Sequence, residues 1–217
     1  MNDLKKCKAD LIRAAHKVIE AGLNFGTWGN MSCRGAGNQV IITPSGIPYA
    51  DLQSEDLCVV NLEGEVMQGH WKPSTELPLH LAIYKARQEM DAIVHVHSKY
   101  ASAFAVARKE IPIASEEMAQ LLGMAVPVAD YALPGSDLLG KNTVTALGNG
   151  YAALLASHGL VAAGSLLDEA LLRCLVIERS ARVLLFSRLL GNPVLLDKDE
   201  IIALHNKYTH SYGQEKK

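Results

Sequence analysis

The run Asp91-Ala-Ile-Val-His-Val-His97 is short, apolar and rich in β-branched residues, and it ends in a His-x-His pair. Its length and composition predict a buried β-strand. Because side chains two residues apart on a strand project from the same face, His95 and His97 can bind one ion between them. Zinc takes one or two further nitrogen or oxygen ligands, and a catalytic site leaves a position open for substrate.

A third nitrogen can come from His158, which follows another predicted strand in Ala156-Ser157-His158-Gly159. An isolated His-x-His also occurs by chance without any metal, and His158 alone is a weaker signal. The pattern gains weight because these histidines stand at the ends of apolar strands, where α/β proteins place functional groups. The remaining histidines are predicted to be structural or solvated: His16, His70, His80, His205 and His210.

Helical and β patterns alternate along the rest of the chain and predict an α/β domain with helices covering a central sheet. We expect a single domain over residues 1–217, with residues 209–217 as a tail that can be mobile. The last long helix opens with Ser165-Leu-Leu-Asp168, which can form a capping box. The helices are predicted at 3–21, 74–90, 99–108, 115–123, 136–147 and 165–190, and the strands near 40–43, 57–62, 65–67, 91–97, 126–129 and 151–163.

Composition excludes several classes of function. The net charge of −2 gives no sign of a basic surface that would bind nucleic acid, and no apolar run is long enough to cross a membrane. The first residues lack the features of a secretory signal, so a cytoplasmic location is expected. The four cysteines are scattered without a CxxC pair, which favours reduced, buried thiols over a disulfide framework.

Three polar turns can bind an anion through backbone N–H and hydroxyl groups. Lys72-Pro73-Ser74-Thr75-Glu76 opens a predicted helix, although by itself it also fits an ordinary capped helix. The other two turns are Gly26-Thr27-Trp28-Gly29-Asn30 and Thr43-Pro44-Ser45-Gly46, and each alone is a weak signal.

The order Gly-Thr-x-Gly-Asn, Thr-Pro-x-Gly, Pro-Ser-Ser/Thr-Glu, His-x-His and Ser-His-Gly resembles the class II aldolase/adducin family, particularly its L-fuculose-1-phosphate aldolases. The resemblance spans roughly residues 5–213, and five motifs in order are far more specific than any one of them. It implies a three-layer α/β/α fold with a mostly antiparallel central sheet. It also implies a homotetramer with active sites near subunit interfaces.

Carried over residue by residue, the resemblance implies one Zn²⁺ per subunit, bound by His95, His97, His158 and Glu76. Glu76 is also implied to be an acid/base, and Tyr212 to donate a proton at a neighbouring subunit's site, with a mobile tail as the competing interpretation of Tyr212. Substrate phosphate is implied to contact Gly29, Asn30, Ser45, Gly46, Ser74 and Thr75.

One departure concerns the helix after the His-x-His strand, where fuculose-type aldolases carry a second tyrosine. This chain has Ser115-Glu116-Glu117-Met118 instead. If the family's pattern is aligned on Met118 and Gly123, Glu117 stands at the position of that tyrosine. If residues are counted without a gap, Glu116 stands there instead. The arrangement resembles the related methylthioribulose-1-phosphate dehydratases, in which a glutamate there is the acid/base.

The resemblance implies cleavage of a ketose 1-phosphate, such as fuculose 1-phosphate or 5-deoxyribulose 1-phosphate, to dihydroxyacetone phosphate and an aldehyde. The runner-up is methylthioribulose-1-phosphate dehydration, followed by a sugar-phosphate epimerase or decarboxylase. An adducin-like binding domain is the non-enzymatic alternative, which the retained histidines and Glu76 disfavour. A zinc hydrolase would leave the phosphate-type turns unexplained.

Overall fold

The computed structural model describes residues 4–211, in which seven α-helices cover the two faces of one eight-stranded sheet. The strand order is β4-β3-β2-β1-β5-β8-β7-β6, and every pairing except β6 with β7 is antiparallel. This confirms the expected α/β/α fold. The elements are α1 (Leu4–Glu20), β1 (Asn30–Arg34), β2 (Gln39–Ile42), β3 (Cys58–Asn61), β4 (Val66–Gln68), α2 (Leu77–Ala86), β5 (Ala92–Val96), α3 (Lys99–Ala107), α4 (Glu116–Leu122), β6 (Val128–Ala129), α5 (Asp137–Leu147), β7 (Ala152–Leu155), β8 (Gly159–Gly164), α6 (Leu167–Leu190) and α7 (Lys198–Ser211), with a 3₁₀ turn at Ser54–Asp56.

Strand β5 shows how the sheet divides the core into two layers. Ala92, Val94 and Val96 pack with α1, α3 and α6 on one face, whereas Ile93 packs with α2 and α5 on the other. Because side chains alternate along a strand, His95 lies on the same face as Ile93. The antiparallel pairing of Asn30 with His95 places polar residues of β1 beside it. The α2 face therefore contains the polar centre of the molecule.

The helix predicted for residues 74–90 is shorter in the structure, because α2 begins at Leu77 and ends at Ala86. Residues 73 and 74 are held to a neighbouring loop instead: Pro73 forms a β-bridge with Pro44, and the Ser74 N–H donates to the Thr43 carbonyl. Ser74 and Thr75 therefore form a turn before the helix, with Glu76 at the N-cap.

Three other features differ from the predictions. Strand β1 is not predicted, since its alternating polar residues are as typical of a loop as of a strand. Helix α7 is also not predicted, and its last turn contains residues 209–211 of the expected tail; residues 212–217 lie outside the described part of the chain. The capping box at Ser165 is wrong, because the N-cap is Leu166 and the Ser165 hydroxyl donates to Glu169.

Two expectations from composition concern membrane-spanning segments and disulfides. Among the described residues, no helix combines the length and apolar character needed to span a membrane. No disulfide links the four cysteines, all of which are buried within residues 4–211.

Candidate metal centre

Four side chains converge at one end of the central strands: Glu76, His95, His97 and His158. Glu76 comes from the N-cap of α2, His95 and His97 from the end of β5, and His158 from the turn between β7 and β8. Their ligand atoms all lie within 4.8 Å of one another. The Nε2 atom of His95 is 3.0 Å from that of His97 and 3.3 Å from that of His158. The structure thus brings together all the residues expected to hold a metal.

The backbone orients the ring of His95 directly, and an unusual turn places His158. The Nδ1 atom of His95 is 2.9 Å from the Leu160 carbonyl, which can only accept, so Nδ1 carries the proton and Nε2 offers its lone pair to the centre. His158 follows Ser157, a non-glycine residue with φ 55°. The Ser157 hydroxyl is 2.8 Å from the Arg108 guanidinium, which helps to hold this unusual turn.

The electrostatics of the cluster favour neutral imidazoles at His97 and His158 beside an ionised Glu76. Burial, reinforced by the neighbouring histidines, lowers the pKa of His97 to about 3 and that of His158 to about 4. Burial by itself raises the pKa of Glu76, but His95, His158 and a hydrogen bond from Asn30 outweigh it, so the net pKa lies below its usual value. These are the protonation states in which His and Glu bind metals.

A divalent cation fits the donor set. The nitrogen lone pairs of neutral imidazoles repel one another at these separations unless a cation lies between them. Glu76 is only 5% exposed, and its Oε1 atom has no hydrogen-bond partner among the described residues. Three imidazoles and a carboxylate are typical ligands of a catalytic zinc, although the same ligands also bind other divalent ions.

The group formed by Glu76, His95, His97 and His158, called the metal cluster for the ion it is expected to bind, opens into a cavity of about 290 Å³. All three polar turns identified in the sequence reach it, together with Glu76, His97 and His158. The six residues expected to contact phosphate are among its walls: Gly29, Asn30, Ser45, Gly46, Ser74 and Thr75.

The structure requires a glycine at position 29 for a geometric reason. Its φ is +81°, and a Cβ there would lie 2.2 Å from the Asn24 amide nitrogen and 2.7 Å from the His95 carbonyl oxygen. Only glycine lets this turn approach β5 so closely. Asn24, which sequence reasoning missed, accepts a hydrogen bond from the His97 N–H and so ties the turn to the metal-binding strand.

His80 was predicted to be structural or solvated, and its connection to the centre was missed. It is fully buried in α2, and burial lowers its pKa to about 3. It lies between Asn30 and Ser32, both on the face of β1 that is turned toward α2. The period-two pattern of β1 is the signal that could have revealed this face.

The second expected acid/base lies elsewhere. Glu116 and Glu117 are both exposed in the first turn of α4, and Glu117 is 3.7 Å from Arg179. Glu117 lines a different cavity, with Ser115, Ser180 and Val183. The structure therefore does not bring Glu117 to the metal cluster of its own chain. Tyr212 lies outside the described residues.

With this geometry, the chain belongs to the class II aldolase family: residues 9–185 match the Class II Aldolase and Adducin N-terminal domain. Members of this family that are named as aldolases resemble it over its full length, which supports a lyase.

The chain is 35% identical to the 5-deoxy-D-ribulose 1-phosphate aldolase of Bacillus thuringiensis serovar kurstaki, over 98% of this chain and 99% of the relative. It is 34% identical to the 5-methylthioribulose-1-phosphate/5-deoxyribulose-1-phosphate aldolase of Rhodospirillum rubrum, over 94% and 90% of the two chains. A solved L-fuculose 1-phosphate aldolase superposes with a TM-score of 0.90 at 33% identity, covering 94% of this chain and 96% of that one.

Proposed function

We propose that this chain is a zinc-dependent aldolase that cleaves a ketose 1-phosphate to dihydroxyacetone phosphate and an aldehyde. The observation that carries the proposal is one cavity lined both by Glu76, His97 and His158 of the Glu/His₃ cluster and by the three polar turns. We further propose one Zn²⁺ per subunit, a homotetrameric assembly and a cytoplasmic location.

In this mechanism the turns bind the phosphate and so place the scissile C3–C4 bond beside the metal ligands. The Gly46 N–H and the hydroxyls of Ser45 and Ser74 supply neutral donors to the phosphate oxygens, whereas the N–H groups of Ser45 and Ser74 already donate to the Lys72 and Thr43 carbonyls. The bound zinc supplies Lewis-acid stabilisation for the negative charge that develops on the carbonyl oxygen. In the condensation direction the ionised Glu76 takes a proton from C3; in cleavage the same carboxyl first takes up a proton from solvent and then delivers it to C3. Its unpartnered Oε1 is the atom available for this role.

The proton on the C4 oxygen needs a second group, for which we propose Glu117 or Tyr212 of a neighbouring subunit. An exposed Glu117 outside its own chain's metal cavity is compatible with a role across an interface. Its pKa is lowered by hydrogen bonds from its own backbone N–H and from Ser115, so it is ionised and can accept a proton.

The substrate we favour has a less polar aldehyde half, such as 5-deoxyribulose 1-phosphate. The phenol that contacts this half in fuculose-type enzymes is replaced here by a carboxylate, and two of the relatives are named for 5-deoxyribulose 1-phosphate. Dehydration of methylthioribulose 1-phosphate is the second candidate, because the Glu117-Met118 pair favours it.

A coupled assay for dihydroxyacetone phosphate tests the reaction. Zinc-loaded protein is given 5-deoxyribulose 1-phosphate, fuculose 1-phosphate or methylthioribulose 1-phosphate, with chelator-treated protein as the control. We expect metal-dependent triose release that is fastest with 5-deoxyribulose 1-phosphate. Consumption of substrate without triose would establish the dehydratase instead. Much faster turnover of fuculose 1-phosphate would contradict the proposed preference for a less polar aldehyde half.

Hybrid enzymes test whether Glu117 acts across a subunit interface. We expect Glu117→Gln and His95→Ala each to be nearly inactive alone. After dissociation and random reassembly of equal amounts, about one quarter of the sites should combine an intact cluster with an intact Glu117 from another subunit. The same experiment with Glu116→Gln distinguishes the two glutamates. Absence of any recovered activity, with mixed oligomers verified by mass, would contradict the shared site.

A further inference from the structure

We propose that His80 is a positioning residue, which fixes the amide orientation of Asn30 and through it the carboxylate of Glu76. His80 touches neither the metal ligands' side chains nor the cavity, so its effect would be exerted through Asn30. The kinetic part of this inference rests on the proposed function, whereas the part that concerns metal binding does not.

Four hydrogen bonds connect the metal cluster to the interior of the α2 layer. Glu76 Oε2 is 2.8 Å from Asn30 Nδ2, and Asn30 Oδ1 is 2.6 Å from His80 Nε2. His80 Nδ1 is 2.6 Å from the Ser32 hydroxyl, which is 2.8 Å from the Tyr84 hydroxyl. All five residues are buried, and His80, Ser32 and Tyr84 are fully so.

Only one assignment of donors and acceptors is possible along this series of four hydrogen bonds from Glu76 to Tyr84. The ionised Glu76 carboxylate only accepts, so Asn30 must turn its NH₂ group toward it and its oxygen toward His80. His80 must then carry its proton on Nε2 and accept at Nδ1. The Ser32 hydroxyl donates to that Nδ1, and its oxygen accepts from Tyr84. With this assignment each of the four bonds joins one donor to one acceptor, as a buried network requires.

The opposite arrangement is unfavourable at the metal. If His80 carried its proton on Nδ1, its bare Nε2 would require the Asn30 NH₂ group, and the Asn30 oxygen would face the Glu76 carboxylate. Two oxygen acceptors at 2.8 Å repel each other in a buried site. Because the Ser32 hydroxyl donates to Nδ1, it helps select the tautomer of His80 that lets Asn30 hold the carboxylate.

The consequence is that the two oxygens of Glu76 differ. Oε2 is held by Asn30 and lies 3.1 Å from His95 Nε2, whereas Oε1 has no hydrogen-bond partner among the described residues and lies 3.4 Å from His158 Nε2. Both oxygens therefore face the centre, and the series holds the carboxylate through Oε2. Outer partners of this kind commonly contribute 10- to 100-fold to metal affinity or activity.

The test compares His80→Leu with His80→Gln in the full-length protein. Metal affinity is measured by competition with a chromophoric Zn²⁺ chelator, and kcat and KM are measured with the substrate identified above. We expect His80→Leu to lower metal affinity and kcat by about 10- to 100-fold, with a smaller rise in KM, because Asn30 is only one of the six residues expected to contact phosphate. His80→Gln can still donate to Asn30 from the same position, and we expect it to restore most of both losses.

Thr143→Val serves as the matched control for Ser32→Ala. It removes a buried hydroxyl that donates to Leu139 within α5, away from the series. We expect Ser32→Ala to lower metal affinity and Thr143→Val to leave it unchanged, even where both lower the melting temperature. If His80→Leu does not fold, the comparison of Ser32→Ala with Thr143→Val still tests whether the hydrogen-bond series affects metal affinity.

Equal behaviour of His80→Leu and His80→Gln, per folded chain, would overturn the inference, as would equal metal affinities of Ser32→Ala and Thr143→Val. The metal titration needs no substrate. If the wild-type protein cleaves none of the sugars, the proposed function fails while the role of His80 is still decided by the affinities.

Discussion

Replacing Glu76 by glutamine is expected to lower kcat by about 10²- to 10⁴-fold, the range that a lost general acid/base typically costs. Glutamine keeps the shape of the side chain, and its oxygen can still accept from Asn30 at the position of Oε2. Its NH₂ group then occupies the position of Oε1, where it can neither bind a cation nor take a proton. Activity is measured at saturating zinc, so that weaker metal binding is separated from lost proton transfer.

Glu65→Gln is the matched control for this change, because Glu65 is exposed in the β3–β4 hairpin and bonds only locally to Asn61. We expect this variant to match the wild-type protein in activity and zinc content. If Glu76→Gln kept near wild-type kcat at saturating zinc, Glu76 would be no more than a metal ligand, and the proton at C3 would need another group.

Replacing His95 by alanine is expected to lower zinc affinity by more than about 100-fold, beyond the usual effect of an outer partner. His95 is fully buried, its Nε2 is central to the cluster, and its Nδ1 is fixed by the Leu160 carbonyl. Loss of its nitrogen removes one of the four expected ligands and opens a gap that the others cannot close. Metal content after dialysis, measured by plasma mass spectrometry, should fall from one zinc per chain to near zero.

His16→Ala is the control, since His16 is exposed on α1 and outside the cluster. It should retain the full zinc content and activity. Unchanged zinc binding by His95→Ala would place the metal elsewhere in the protein and would contradict the proposed centre.

The local pattern of residues 91–97 predicted two of the four residues of the cluster. The alternation along residues 91–97 requires that His95 and His97 project together, whatever packs around them. The five ordered motifs identified the family, and with it Glu76 and His158, which no local pattern singles out strongly. The phosphate-type turns were likewise evident from their glycines and hydroxyl residues, and the structure places all of them on the cavity that holds the cluster.

Element boundaries beside the cavity depended on long-range contacts. Residues 72–76 have the composition of a capped helix start, but the bridge from Pro73 to Pro44 and the bond from Ser74 to Thr43 hold them in a turn. Propensity acts within a few residues, and it is overridden when a distant segment offers better backbone partners.

The sequence by itself thus predicted the type of domain and the four residues that the structure brings together at its centre, because both follow from short-range periodicity and from ordered motifs. Tertiary structure alone decided that the polar face of β1 meets α2, that His80 joins Ser32 to Asn30, and that Glu117 lies away from its own chain's cluster. The physical reason is that a residue's sequence neighbours fix which way its side chain projects, whereas only the packed sheet and helices fix which partner it meets there.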